Sequence, residues 1–264
     1  MTIIDRQQIL SRYCSIEEKT IIARAIDLAE SVLKNHQVAV SDFYDPYHTG
    51  LVFSLVKGIH DLSVVADGGY PNAERSRVVI YPDYLLPEQV DANLAFLSIE
   101  GNFKMVAVNH RDYLGSLMGL GLKRDKLGDI IVHESGADLI VDADVAPYVR
   151  ANLTKIGRVK VEIVEISREQ LRLPEANIKI INATVAALRL DAVAAAGYGA
   201  SRSKIVKEIT AERLNLNWCP CSNPATLVKA GDMLSLRGRG RVKVAEVGGN
   251  TKKGRVAVVL HKYL

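Results

Sequence analysis

Residues 197–207 read Gly197-Tyr-Gly-Ala-Ser201-Arg-Ser-Lys-Ile-Val-Lys207, and residues 231–243 read Gly231-Asp-Met-Leu-Ser-Leu-Arg237-Gly-Arg-Gly-Arg-Val-Lys243. Glycine is the common stop of a helix, so Gly197-Tyr198-Gly199 closes a short helix whose apolar atoms come from Leu188, Val193, Ala194 and Ala196. Ser201 stands at an N-cap position, and Ile205, Val206 and Ile209 supply the buried stripe of a second helix. Arg202 and Lys204 fall in its first turn, where positive charge opposes the helix dipole. Such a local misfit points to function, because amides at a helix start attract phosphate and Arg and Lys add charge and donors. Downstream, Leu214, Leu216 and Trp218 alternate with Asn215 and Asn217 as in a short strand, and Gly231-Asp232 makes a tight turn. After it, Leu234, Leu236, Val242 and Val244 share one parity, and Ser235, Arg237, Arg239, Arg241 and Lys243 share the other. An extended chain puts each set on its own face. Gly238 and Gly240 allow an exposed basic loop instead, which keeps the charge and loses the facing.

This basic segment stands out against the rest of the chain. Residues 181–264 hold 14 Lys+Arg against 5 Asp+Glu, a net of +9, and residues 1–180 hold 20 against 25, a net of −5. The whole-chain value of +4 thus hides a basic end on an acidic body. That asymmetry points to a polyanionic partner held at one end. A hydrophobic content of 48% with 24% charged residues is that of globular domains and excludes a disordered chain. The 264 residues suffice for two or three domains. No basic stretch followed by an apolar core opens the chain, so no secretory signal is expected. No apolar run approaches the roughly 18 residues of a membrane span. Cys14, Cys219 and Cys221 form no disulfide framework, which suits a reducing cytoplasm. The Cys-Pro-Cys spacing is too short for a Cys-x-x-Cys zinc pair, and the nearest His in sequence is His261, so no metal is expected.

Working back towards the N-terminus, residues 1–86 read as a small α/β domain. Ile21, Ile22, Ala25, Ile26, Leu28, Ala29, Val32 and Leu33 recur at helical spacing. Asp45-Pro46 reads as an N-cap followed by a first-turn proline, opening a helix through Leu51, Val52, Leu55 and Val56. Leu62–Ala66 and Arg77–Tyr81 read as strands around a glycine-rich loop. Residues 87–172 alternate as strand, helix, strand, strand, helix, strand, the ferredoxin-like arrangement. The base-stacking aromatics of RNA-recognition-motif domains, which share it, are missing. That fold alone therefore carries no function. Residues 172–177 read as a hinge, and 181–264 as the third domain. The fold class is α+β.

Three triplets mimic catalytic motifs. His110-Arg111-Asp112 resembles a kinase loop, but the other kinase signatures are absent, and a helix start with Asp112 in its first turn explains it. Gly119-Leu-Gly121 lacks a third glycine and follows a helix instead of opening one. Arg189-Leu190-Asp191 approaches the Gly-Arg-Leu-Asp context of pseudouridine synthases, but Leu188 precedes it and a helix follows. Asp191 then reads as part of a surface ion pair. The six histidines sit in no nucleophile–base motif.

Arg189-Leu-Asp, Gly197, Ser201-Arg-Ser-Lys, a strand carrying Asn217, and Gly231-Asp232 occur in an order that resembles the ribosomal-protein-S-four type RNA-binding domain. The longer pattern Gly199-Ala-Ser-Arg-Ser-Lys, Ala211-Glu-Arg-Leu, Asn217-Trp218 and Arg237-Gly-Arg-Gly-Arg241 is similar to the YlmH family. Gly68-Gly-Tyr-Pro-Asn-Ala-Glu-Arg75 and His110-Arg-Asp-Tyr-Leu-Gly115 extend that resemblance over nearly the whole chain. Two departures stand out: Ala211 where many such domains have glycine, and Cys-Pro-Cys in place of polar residues after Trp218. The resemblance implies a non-enzymatic bacterial RNA binder. It further implies links to the large ribosomal subunit, to tRNA on stalled subunits during ribosome-associated quality control, and to cell division.

The expectations are therefore these. Structured RNA, rRNA and tRNA, is the partner. Arg202, Lys204, Lys207, Arg213, Arg237, Arg239, Arg241 and Lys243 contact phosphate, and Ser201, Ser203 and Asn217 donate or accept hydrogen bonds. Arg189 belongs to the same set. Phosphate contacts position without reading sequence, so specificity comes from RNA shape. No catalytic residue, cofactor, metal or small-molecule substrate is expected. The competing classes are an RNA-modifying enzyme and a ribosome-tethered scaffold.

Overall fold

The computed structural model describes residues 5–13, 15–103, 106, 108–173, 178–250 and 254–263. Cys14 and residues 174–177 of the expected hinge lie outside the described residues. The chain divides into two compact units, Met1–Pro174 and Glu175–Leu264.

In the first unit, α1 (Arg6–Leu10) precedes α2 (Ile16–Asn35). Ser15 caps α2 by accepting from Glu17 N–H, and His36 ends it in the left-handed conformation. β1 (Ala39–Tyr44) follows, then α3 (Pro46–Val56), capped as the sequence predicts by Asp45, whose carboxylate accepts from His48 N–H at 2.9 Å. β2 (Leu62–Asp67) and β3 (Ser76–Pro82) complete an antiparallel sheet of order β1-β3-β2. Ile22, Ile26, Ala29 and Val32 of α2 pack with Val52 and Val56 of α3 on Val78 and Ile80 of β3. β1 has no clean alternation in the sequence because its pairing with β3 shifts register between Val40 and Phe43.

β4 (Leu94–Gly101), α4 (His110–Gly119), β5 (Leu127–His133), β6 (Gly136–Asp142), α5 (Ala146–Asn152), the two-residue β7 (Lys155–Ile156) and β8 (Val159–Ile166) build a second sheet. Its order is β5-β6-β4-β8-β7, and all its pairs are antiparallel. Tyr113 and Leu117 of α4 and Val149 of α5 cover one face, over Leu97, Ile99, Leu139 and Val141.

The opposite face of this sheet is not open. Phe43 of β1 packs on Phe96, Ile131 and Ile140, joined by Tyr70 and Leu171. The segments 1–86 and 87–172, read separately in the sequence, thus share a core inside one unit. The loop 68–75 is fastened here by the buried Asp129 of β5. Its carboxylate accepts from Tyr70 O–H at 2.8 Å, Glu74 N–H at 2.7 Å and Arg75 N–H at 3.2 Å. Gly69 has φ +92, and a Cβ there would lie 2.7 Å from the Phe96 ring, so only glycine lets the loop approach the sheet. Further along the same face, Arg172 donates to Asp138 at 2.7 Å and also to Ser98.

The second unit opens with β9 (Ile178–Val185), α6 (Leu190–Tyr198) and α7 (Arg202–Thr210). β10 (Leu214–Leu216), β11 (Cys219–Pro220), β12 (Met233–Leu236), β13 (Gly240–Asn250) and β14 (Val256–Tyr263) follow. One antiparallel sheet of order β11-β10-β12-β13-β14-β9 carries both helices on a core of Leu190, Val193, Ile205, Ile209, Leu214, Leu234, Val242 and Leu260. Gly197 lies so close to β13 that a Cβ would stand 2.7 Å from Val242 Cγ1. Overpacking of this kind costs about 1–3 kcal/mol, and the gain in helix propensity returns up to about 1. Gly197→Ala is therefore expected to destabilise the unit by about 1–2 kcal/mol, read from the fluorescence of Trp218, the single tryptophan of the chain. An unchanged melting curve would show that Val242 moves aside.

Candidate nucleic-acid interface

The junction of the two helices sets the first part of the site. Gly199 ends α6 with φ +58, and Ser201 opens α7 by accepting from Lys204 N–H at 3.3 Å. Asp191, 2% exposed in the first turn of α6, holds this junction together. Its Oδ2 accepts from Arg202 Nη2 at 2.8 Å and Nε at 3.0 Å, and Arg189 reaches the same carboxylate at 3.2 and 3.3 Å. Asp191 is thus a buried clamp between two arginines, which corrects the surface ion pair expected from sequence. A position next to Arg189 says nothing about burial; the packing of α6 on α7 does. Burial by itself would raise the Asp191 pKa, but the hydrogen bonds from Arg189 and Arg202 hold it below the usual carboxylate range.

A hairpin sets the second part. Tyr198 O–H, at the end of α6, lies 2.9 Å from Leu234 O and 3.1 Å from Gly240 O, and so pins the base of the β12–β13 hairpin. Leu234, Leu236, Val242 and Val244 are all buried, as their shared parity predicts. Ser235 pairs with Arg241 and Met233 with Lys243 across the ladder. Arg237, Gly238 and Arg239 form the turn, with Gly238 and Gly240 both at φ +78. The basic run is therefore divided: Arg237 and Arg239 lie on an exposed loop, and Arg241 and Lys243 on a strand face. The chain reverses at Gly238, so Arg237 and Arg239 leave the ladder, while Ser235 and Arg241, paired across it, share one face.

Beside this hairpin, where the chain leaves α7, lies a hollow of ≈ 390 Å³ lined by Arg213, Arg237 and Arg241 together with Glu212, Asn215, Ser235, Leu236, Gly238 and Gly240. Arg213, just after α7, pairs with Glu208 at 2.7 Å, and its carbonyl accepts from Arg237 N–H at 3.2 Å. This links the end of α7 to the hairpin turn. Ser201, Arg202, Ser203, Lys204, Lys207, Arg213, Arg237 and Arg239 are exposed, and Arg189, Arg241 and Lys243 are half-buried.

Asn217 is committed internally. Its Nδ2 donates to Asp232 Oδ1 at 2.9 Å, and its Oδ1 accepts from Met233 N–H at 2.8 Å. Asn217 and Trp218 both have positive φ, 50° and 66°, and form the two-residue loop of the β10–β11 hairpin. Trp218 is thus a turn residue and not the third member of an alternating strand. Cys221 Sγ lies 3.3 Å from Thr226 Oγ1, and Cys219 and Cys221 are not joined in a disulfide. Sequence reasoning missed Asp191 as the anchor of Arg202, and Ser235 and Asn215 as lining residues. Only pairing across the sheet places the last two beside the arginines.

Asp112, the other acid of a motif-like triplet, closes a capping box: its Oδ2 accepts from Asn109 N–H at 2.8 Å. Among the described residues no helix is long and apolar enough to cross a membrane.

Fold and site together define a two-unit α+β protein whose second unit exposes basic side chains at its helix junction and at its β12–β13 hairpin. Residues 17–85 match the family model described as "YlmH, N-terminal", and residues 87–170 match "Putative RNA-binding domain in YlmH". The chain is 37% identical over 246 residues to ribosome-associated protein quality control protein P2 of Bacillus subtilis (strain 168), covering 93% of this chain and 95% of that protein. It is also similar to a solved structure of cell division protein ylmH from Streptococcus pneumoniae. There the TM-score is 0.51 at 27% identity, over 60% of this chain and 97% of that one. The chain belongs to the YlmH family. The family description gives the middle segment, which the sequence left without a function, an RNA-binding role. The centre of its sheet face, the usual stacking platform of such folds, is covered here by Phe43 and Tyr70.

Proposed function

We propose that this protein binds structured RNA, rRNA and tRNA, on the large ribosomal subunit, chiefly through Glu175–Leu264 folded as an S-four type domain. It does so without catalysis, in the bacterial cytoplasm, in ribosome-associated quality control, with a link to cell division. The observation that carries the reading is the convergence of Arg213, Arg237 and Arg241 on one hollow, in a segment of net charge +9. Lys204 and Lys207 add exposed positive charge on α7. The names of the Bacillus and Streptococcus relatives support the cellular setting. The acids that an enzyme would use, Asp112 and Asp191, are spent on a helix cap and an arginine clamp, which supports a binding protein.

Arg202 is held by Asp191, so its removal mixes folding with binding. Lys204 and Lys207 are the cleaner probes. Neutralising about five phosphates gives a slope of log affinity against log salt of roughly −3.5 to −4.5. Lys204→Ala with Lys207→Ala is expected to make it shallower by about 1.4–1.8, with affinity for an rRNA fragment or tRNA on the order of tenfold weaker at 0.1 M salt. Filter binding across a salt series reads both, and a variant indistinguishable from the parent in both removes the helix from the interface. New modified nucleosides after incubation with rRNA and tRNA, dependent on Asp112 or Asp191, would replace the binding reading with an enzyme.

A further inference from the structure

In the second unit, α6 and α7 pack on the side of the sheet that holds Leu234, Val242, Val244, Val258 and Leu260. Residues directly opposite across an antiparallel ladder share a side, so the strand pairing fixes what the other side presents. One row runs Asn215, Ser235, Arg241, Tyr263 and Ile178, from β10 through β12, β13 and β14 to β9. The next runs Met233, Lys243, His261 and Ile180. On β9, Ile181 and Ala183 pack with the core, so Ile178 and Ile180 point away from it. None of the residues in the two rows is buried, and Ile180 is 60% exposed.

This side is not the polar face that an antiparallel sheet turns to water. Each cation has a ring directly across the ladder, Tyr263 opposite Arg241 and His261 opposite Lys243, with an isoleucine beyond each ring. Cations beside flat rings suit unpaired nucleotides, whose phosphates take the charge and whose bases stack on the rings. A paired duplex keeps its bases stacked inside and cannot use such a platform. The first row also begins at the hollow of the β12–β13 hairpin, which Asn215, Ser235 and Arg241 line together with Arg213 and Arg237. A strand leaving that hollow therefore meets Tyr263 next. Glu246, opposite Val259, carries negative charge on the same side, one row further from the hollow than Lys243 and His261.

We propose that this sheet face binds unpaired nucleotides of the RNA held at the hollow, with Tyr263 and His261 stacking on bases and Arg241 and Lys243 holding phosphates. Ile178 and Ile180 complete the apolar floor. The inference rests on the RNA-binding reading above and adds to it a preference for RNA in which a single strand leaves a folded element.

The test is fluorescence anisotropy of the full chain titrated against a labelled blunt RNA hairpin and against the same hairpin with an unpaired tail at its 5′ or 3′ end. A tailed form is expected to bind on the order of tenfold tighter than the blunt one, the scale of one stacked base. Tyr263→Ala should remove this difference and keep the parent's salt slope, because it deletes a ring and no charge. Tyr263→Phe, which retains the ring, should preserve the difference. Lys243→Ala should weaken the tailed form and make its slope shallower by about 0.7, the share of one single-strand phosphate. Ile180→Glu changes an exposed side chain and should also remove the difference; it decides the matter if Tyr263→Ala lowers the Trp218 melt. Equal affinity for blunt and tailed RNA overturns the proposal and leaves the hollow's RNA reading standing, as does a difference that Tyr263→Ala and Ile180→Glu leave intact. A parent chain that binds neither RNA overturns both. A dimer that Ile180→Glu dissolves, with tailed RNA indifferent to Tyr263→Ala, assigns the face to a second copy and overturns the proposal.

Discussion

Replacing Arg237, Arg239 and Arg241 together by alanine is expected to lower affinity for structured RNA by about two orders of magnitude at 0.1 M salt. The salt slope should become shallower by about 2–2.7, the share of three phosphate contacts. The expectation rests on placement. Arg237 and Arg239 project from the exposed hairpin turn, and Arg237 and Arg241 line the hollow that Arg213 also lines. The hairpin itself should survive, because its stability comes from Leu234, Leu236, Val242 and Val244 on the buried side and from Tyr198 at its base. Trp218 fluorescence melts of parent and variant should therefore coincide. Competition among RNAs adds a second readout: phosphate contacts carry no base information, so the loss should be similar for rRNA fragments and tRNA. Unchanged affinity would remove the hairpin from the interface. A loss at unchanged slope would assign these arginines to contacts other than phosphate.

Asp191→Ala is expected to destabilise the second unit by about 2–3 kcal/mol. Hydrogen bonds to charged groups contribute about 1.5–3 kcal/mol each when buried. The value is discounted here because the side chains of Arg189 and Arg202 are 38% and 54% exposed and can turn to water once released. For a domain of this size the change lowers the melting temperature by about 10–20 °C. The pH dependence separates the clamp from simple loss of packing. The folded-state pKa of Asp191 lies below its unfolded value. Its contribution is therefore complete above the unfolded value, near pH 4, and is lost as pH falls through the folded value. Parent and variant should differ fully at neutral pH and converge in acid. A difference that persists unchanged to the lowest pH at which both fold would show that the charge pair contributes nothing. RNA affinity should fall as well, because Arg202 and the start of α7 lose their anchor.

Much of the second unit was legible in the sequence because its signals are local. Ser201 as a cap and Gly199 as a helix stop each act within a few residues, and the buried parity of Leu234, Leu236, Val242 and Val244 within one hairpin. What failed there failed for non-local reasons. Leu214, Leu216 and Trp218 read as one alternating strand, but Asn217, held by Asp232 and Met233 across the sheet, and Trp218 form the loop of a hairpin. In the first unit, Asp45-Pro46 marked a helix start correctly, while the bulged β1 stayed invisible because its register shift breaks the period of two.

By itself the sequence determined the α+β character, the basic end on an acidic body, the caps and turns of the helix pair, and the family pattern from Gly68 to Arg241. Those properties depend on residue type, neighbours in the chain and net charge, all of which survive without coordinates. Only the tertiary structure decided that Asp191 is a buried clamp, that the basic run splits between a turn and a strand, and that Phe43 and Tyr70 cover the face of the middle sheet. The same holds for the pairing of Arg75 with Arg124, which lie far apart in sequence and meet at the carbonyl of Leu127. Burial, counter-ion distance and the closing of a sheet face are set by which distant segments pack together, and the order of residues along the chain does not contain them.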